Sequence, residues 1–396
     1  MIHESIFNLK RYCEGEKFKG WDPYDGMNSL IFQNSPFIYW DITRLIWIQL
    51  FKRSPINFRN LFLVPKSYNA KGIALLLSAY CNLYKLASDG NDYFGNKESI
   101  LLNINLIAKI LISLESKGFA GSCWGYNFGW QARRLFYFPK NTPTVVATSF
   151  CVESLIKAYE ITKNEKFLDK AISSSKFVLK DLKRTKSSKG FLFSYSPING
   201  NNTVFNASLL GAKILIMNYN YTNRLDEKNV AEEAIKSVCE YQKKDGSWEY
   251  GLLPIQNWID SFHTGYNIQS INTYKKITKE DRFDKNINLG FDFYINSFFT
   301  KNGVPKYYHN KMYPIDIHCP AQLLITISSL GKYKEYSSLL NKVISWTIKN
   351  MQDRSGFFYY QLKKNFSSKI SYMRWSNAFM FNAFSYYLLD QFEYEK

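Results

Sequence analysis

Two kinds of apolar run alternate along the chain. The first sets Lys, Glu and Asp on one face and apolar side chains on the other, as in "KNVAEEAIKSVCEYQKK" (228–244), which predicts an exposed amphipathic helix. Such runs cover 98–117, 165–184, 227–243, 281–299 and 335–352. The second kind is apolar or small nearly all round, as in "TVVATSFCVESLIKAY" (144–159), and predicts a helix buried on most sides. It covers 144–162, 203–222, 260–278, 316–331 and 374–390. Between the first kind and the second lies a segment of glycine and aromatic residues: "GSCWGYNFGW" (121–130), "SKGFLFSYSP" (188–197), "KDGSWEYGLLP" (244–254), "KNGVPKYYHNKMYP" (301–314) and "RSGFFYYQLK" (354–363). With Trp124, Phe191, Trp248, Val304 and Phe357 as their key apolar residues, the spacings are 67, 57, 56 and 53, enough for two helices and a loop. One more pair lies upstream, an outer helix at 41–53 and an inner one at 70–87.

Six outer and six inner helices predict an all-α fold, an (α/α)6 toroid. It would be a single domain over 1–396, with 1–40 as an N-terminal extension near the barrel mouth. An open solenoid stacks helix pairs as well, but six hairpins is the number that closes a ring. The inner helices of such a ring run parallel, so their N-termini gather on one face. Six partly positive helix ends there make it the natural seat of a pocket and of an anionic ligand.

The residues at the inner-helix starts are Asn69 and Lys71, Thr142 and Thr144, Asn202 and Asn206, Asp260 and His263, Asp316 and His318, then Arg374, Trp375 and Asn377. Asn69, Thr142 and Asn202 read best as N-caps. The fourth and fifth starts each pair an Asp with a His, and a cap needs no imidazole. A histidine beside a carboxylate exchanges protons near neutral pH. Asp260, His263 and Asp316 are therefore the candidate catalytic residues. Asp22 and Asp25 of "GWDPYDG" are alternative partners, although Pro, Asp and Gly together also make a turn. Aromatic planes flanked by polar groups suit a saccharide. The candidate binding residues are Tyr24, Trp130, Gln131, Arg133, Thr144, Asn206, Trp258, His318, Arg374, Trp375 and Asn377, with the arginines suited to a carboxylate or phosphate. Trp124 and Trp248 read instead as core anchors.

Charge and cysteines narrow the partners. The formal charge is +18, which favours an acidic partner, yet no basic block or nucleic-acid motif is present. The expected partner is an anionic saccharide or lipid-linked glycan, and no nucleic acid. The N-terminus has no apolar core of a signal peptide, and no apolar run is long enough to span a bilayer. A cytoplasmic protein with peripheral contact to the inner membrane surface is expected. The six cysteines (13, 81, 123, 151, 239, 319) are dispersed and suit reduced, buried thiols. No cofactor and no metal is expected. Cys123 with His318-Cys319 resembles the zinc set of lanthionine cyclases, but the adjacent pair is reversed.

Several long segments, "FKGWDPYDGMNS" (18–29), "KRSPINFRNLFLVPKSYNAKGIALLLSAY" (52–80), "WGYNFGWQARRLFYFPKNTPTVVATSF" (124–150) and "WIDSFHTGYN" (258–267), resemble a bacterial family encoded in capsule, exopolysaccharide and O-antigen clusters. The resemblance implies a six-hairpin, glycosidase-like (α/α)6 fold and a place in surface-polysaccharide biosynthesis. It departs at Gly129, where the family carries an acid before the Trp-Gln pair. "QKKDGSWEYG" also resembles the QW repeat of terpene cyclases, but their acidic DxDD signature is absent. The chemistry expected is glycoside-hydrolase-like, with two carboxylates, or uronate epimerase- or lyase-like. In the second case His263 or a tyrosine takes the proton next to the carboxylate, and Arg133 or Arg374 neutralises it. The alternative is a non-catalytic glycan-binding or scaffold protein, and the remote alternative an isoprenoid or zinc-dependent α-toroid enzyme.

Overall fold

A computed structural model describes residues 2–132 and 137–396. Its α-helices are α1 (Ile2–Gly15), α2 (Leu30–Gln33), α3 (Asp41–Arg53), α4 (Ala70–Ser88), α5 (Lys97–Ser113), α6 (Val145–Thr162) and α7 (Glu165–Lys176), then α8 (Phe205–Thr222), α9 (Leu225–Glu240), α10 (Ser261–Thr278), α11 (Asp284–Phe298), α12 (His318–Leu330), α13 (Tyr333–Met351) and α14 (Phe379–Glu395). Seven short strands, all antiparallel, join them: β1 (Trp130–Gln131) with β2 (Tyr137–Phe138), β3 (Arg184–Ser187) with β4 (Gly190–Phe193), and β5 (Ile315–Asp316) with β6 (Tyr359–Leu362) and β7 (Ser367–Ser371).

The even-numbered helices from α4 to α14 each pack on the next, and α14 returns to α4, which closes the ring. The fold is the expected (α/α)6 toroid. Outside it, α5, α7, α9, α11 and α13 pack against the inner helices that precede them. The sixth outer place is taken by α1, which packs on α13 and α14. The helix expected at 41–53 forms, but it is not an outer helix. It packs on the 3-10 turns Asp25–Asn28 and Pro36–Tyr39 and on β1, over the pocket face. The physical reason is its apolar pattern: Ile48 and Phe51 are buried, and Ile48 joins a small separate core with Met27 and Phe32. Among the described residues no helix is long and apolar enough to cross a membrane.

Local chemistry repeats with the helices. α6, α8, α10 and α12 each end on a residue in the left-handed region, Lys163, Asn223, Lys279 and Gly331, and the N–H of each returns to a carbonyl of the last turn. The loops carry anchors. Trp124 and Trp248 are fully buried. Their indoles donate to Leu111 O at 2.9 Å and Val238 O at 3.1 Å, carbonyls of the last turn of α5 and α9 that also accept the backbone N–H of Leu114 and Tyr241, each at 3.1 Å. At Gly246 the φ of +89° admits only glycine comfortably, and a Cβ there would lie 2.1 Å from Leu289 O.

The loops also tie the ring together. In the five inner segments from α6 to α14, the N–H that opens the segment donates to the carbonyl of an aromatic residue in the next loop around the ring. Val145 donates to Tyr195, Phe205 to Tyr250, Ser261 to Tyr307 and Ile317 to Tyr360, at 2.9 to 3.3 Å. Met373 donates to Trp21 at 3.1 Å, so the N-terminal segment takes part in the series. Tyr195, Tyr250, Tyr307 and Tyr360 consequently recur around the mouth.

Replacing Trp248 by Phe should remove the indole bond to Val238 O, leaving that carbonyl only the Tyr241 N–H, and open space in the core. Denaturant unfolding should show a loss of about 2–4 kcal/mol, and an unchanged midpoint would refute the anchoring role.

Candidate functional site

Asp316 ends β5 immediately before α12 and is fully buried. Its Oδ1 accepts from the Trp375 indole at 2.9 Å and the His318 backbone N–H at 3.0 Å; its Oδ2 accepts from Gln361 Nε2 at 2.8 Å. β5–β6 pairing sets this geometry, because Asp316 lies opposite Gln361 in register. Burial lifts the carboxyl to about 6, and the three donors and the nearby Lys52 only partly oppose it. Asp316 lines a cavity of about 300 Å³ with Tyr24, Lys52, Arg53, Tyr307, Tyr360, Gln361, Lys363 and Trp375 among its walls. No other acid lines it among the described residues. Aromatic walls with a few convergent polar groups are the usual make-up of a small-ligand pocket.

One repeat back, Asp260 is both cap and orienter. Its Oδ1 accepts from the His263 backbone N–H at 3.0 Å, and its Oδ2 from Trp258 Nε1 at 3.0 Å. The same Oδ2 lies 2.7 Å from His263 Nδ1. With Nδ1 held, Nε2 is the nitrogen left for proton exchange. His263 packs on Tyr250 and Phe262, with centroids at 4.7 and 4.3 Å. The pair lines a narrow cleft with Asn206, whose Oδ1 is buried without a partner.

The second Asp-His pair is unlike the first. His318 Nδ1 lies 3.8 Å from Asp316 and has no hydrogen-bond partner. The ring is stacked among Phe379, Trp375 and Phe262 at 3.9, 4.3 and 5.1 Å. Burial, and then Lys71 and Arg374, hold its pKa well below the usual value, so it stays neutral. His318 is not among the residues lining the larger cavity.

Asp22 and Asp25 are engaged by arginines. Asp22 accepts from Nε and Nη2 of Arg374, the latter at 2.7 Å. Asp25 accepts from Arg59 Nε at 2.7 Å and from the Asp22 backbone N–H at 2.8 Å. Burial raises Asp25 to about 6 against the pull of Arg59. The Asp25–Arg59 pair ties the mouth segment to itself, and the Asp22–Arg374 pair fastens it to the turn before α14, so Arg374 is committed to Asp22. The other expected binding residues divide. Tyr24 and Trp375 line the larger cavity, and Tyr24 Oη accepts from Lys52 at 2.7 Å. Trp130 stacks on Phe138 and meets Tyr24 edge-on, and Gln131 accepts from Arg44. Thr144 caps α6, and Asn69 caps α4. Asn377 is buried between Phe358 N and Ser371 Oγ. Arg133 lies outside the described residues. At Gly129 a Cβ would sit 2.6 Å from the Tyr137 hydroxyl, so an acid there would have to displace that ring.

Three groups of the site have signals that the sequence reading passed over. The loop tyrosines Tyr307 and Tyr360 sit three residues after Val304 and Phe357, and Tyr250 two after Trp248; the recurrence of a tyrosine two or three residues after the loop's key apolar residue is the signal. Lys52, Arg53 and Lys363 ring the cavity, and none of them pairs with an acid among the described residues. Lys71 is fully buried in an aromatic box, its Nζ 4.2 Å from the Phe150 centroid and 5.0 Å from that of Phe379. Burial and Arg374 hold its pKa well below the ordinary lysine value. Among the described residues no group of three His, Cys, Asp or Glu side chains could hold a metal ion.

No family model matches the chain, and no curated protein matches it. Solved structures do resemble it in fold. Cellobiose 2-epimerase from Bacillus thermoamylovorans is 14% identical, with a TM-score of 0.63 over 83% of this chain and 90% of that one. The family 76 α-mannanase from Bacteroides thetaiotaomicron is 13% identical, with a TM-score of 0.60 over 83% and 88%. An unsaturated glucuronyl hydrolase specific for heparin is 10% identical, with a TM-score of 0.60 over 98% and 96%. At such identities the likeness is one of fold, the (α/α)6 toroid.

Proposed function

We propose that this chain is a carbohydrate-active enzyme with Asp316 as its proton-transfer group, acting on an anionic glycan. One observation carries the reading: a buried carboxyl, lifted to about 6, at the wall of an aromatic cavity of about 300 Å³ that is ringed by cations. A carboxyl with that pKa takes a proton as carboxylate and returns it as acid near neutral pH. Epimerisation or β-elimination at a uronic acid asks for this at the carbon next to the sugar carboxylate. Lys52 and Arg53 would neutralise that carboxylate as charge builds on it. Two-carboxylate hydrolysis is less well served, because it asks for a second acid facing the first. His263, oriented by Asp260, supplies a second proton-exchanging group at the neighbouring helix start.

The fold likeness to sugar epimerases and glycosidases supports the saccharide class, although fold alone does not carry chemistry. The sequence resemblance supports a place in bacterial surface-polysaccharide assembly, on a lipid-linked or growing glycan and in the cytoplasm. A second reading, a glycan-binding protein without turnover, draws on the single acid of the cavity and on the three donors that hold it.

Incubation with uronate-containing surface glycan in D2O should place deuterium next to the sugar carboxylate or release an unsaturated uronate. Asp316→Asn should lower kcat/KM by about 10²–10⁴-fold. Tight binding without exchange or cleavage would overturn the catalytic reading. The pH profile carries its own sign. As the base, Asp316 works ionised, so kcat/KM should rise as pH passes through about 6. A fall over the same range would mark a general acid and favour hydrolysis instead.

A further inference from the structure

The segment that covers the barrel mouth is apolar on its outer side as well as its inner one. Among the described residues, eleven of the twenty exposed large hydrophobic side chains lie between Leu30 and Leu63. Helix α3 shows the pattern most clearly. Ile48 and Phe51 face its own core, while Ile42, Ile46 and Leu50, spaced by four, form a second stripe open to solvent at 63%, 62% and 43% exposure. A surface helix needs only one apolar face. The 3-10 turn that packs beside α3 adds Tyr39 and Trp40, 80% and 57% exposed. Leu63 and Leu30 extend the face, joined by a backbone hydrogen bond of 3.3 Å. An exposed patch of this extent marks a surface that something covers.

Charge says what the cover is. Between Leu30 and Lys66 the only acid is Asp41, and it is paired with Arg44. Lys52 and Arg53, at the C-terminal end of α3, have no acidic partner among the described residues. Two copies meeting through this face would bring like charges together, which disfavours a symmetric dimer. Apolar side chains in a stripe, Trp and Tyr at one edge and Lys and Arg at the end are what an interfacial helix presents to an anionic bilayer.

We propose that this face docks the protein on an anionic lipid surface, with α3 lying in the headgroup layer. The geometry gives the contact a use. Lys52 and Arg53 end α3 and also line the large cavity, so a glycan held at the membrane would meet the site without the protein leaving the surface. The docking itself does not depend on the chemistry at Asp316.

The test is co-sedimentation of the full chain with vesicles of phosphatidylcholine containing about one third phosphatidylglycerol, and it needs no substrate. Wild type should bind these vesicles about tenfold more tightly than pure phosphatidylcholine ones. Ile46→Asn with Leu50→Asn should weaken binding at least about tenfold. Both positions are exposed, and an unchanged thermal melt would verify the fold. Leu102→Asn, at an exposed position on α5 away from the face, should bind as wild type does. Failure of the wild type to bind either vesicle would overturn the proposal, as would full binding by the double variant. So would a dimer in sedimentation velocity that the double variant abolishes, since a second copy would then cover the face.

Discussion

The structure depends on one kind of hydrogen bond made again and again around the ring. Each inner segment opens with a backbone N–H that no helical carbonyl can satisfy, and from Val145 to Met373 that N–H goes to an aromatic residue of the following loop. The bond fixes how these repeats sit on one another and places an aromatic backbone at five steps around the mouth. It also sets the register of the residue after it. Gln361 follows Tyr360 and meets Asp316; Asp22 follows Trp21 and meets Arg374. The site is thus built from positions that the ring must fix in any case.

The same bonds change how the mouth attracts an anion. Convergent helix N-termini suggest a field made by backbone N–H groups, but the leading N–H groups are spent on loop carbonyls. Asp260 and Asp316 take further N–H groups at their own helix starts. The positive character of the cavity comes instead from Lys52, Arg53 and Lys363, side chains of the mouth segment and of the loop after β6. Buried Arg374 and Arg59 hold that segment in place through Asp22 and Asp25, and their charges are balanced there. Binding and fastening are done by different cations.

Much of the fold was legible because it repeats. Inner helices read as runs apolar on all sides and outer ones as amphipathic, and the ten runs from 98 onward all became helices. What the pattern could not show was the partner of each apolar face. α3 has helical periodicity and an upstream position suited to an outer helix, yet its buried face meets Met27 and Phe32 rather than α4. The segment at Ile2–Gly15, polar and short, carries Ile6, Leu9 and Cys13 on one face and fills the outer place. In the site, helix-start position pointed to Asp316 and to the Asp260–His263 pair. It could not tell a lining residue from a cap, since Thr144 and Asp316 have the same place in their repeats. Nor could it show that Asp22 and Asp25 would meet arginines far along the chain, because such pairs are made by tertiary structure alone.

The account stands on a carboxyl that burial at the wall of an aromatic cavity keeps poised near neutral pH. Its most direct test is infrared titration of the intact protein, taking wild type minus Asp316→Asn so that other carboxyls cancel. The protonated carboxyl band of Asp316 should disappear with a midpoint at about 6. A midpoint near the ordinary aspartate value of about 4 would show an ion fully satisfied by Trp375, Gln361 and His318, and would remove the basis for proton transfer at this site.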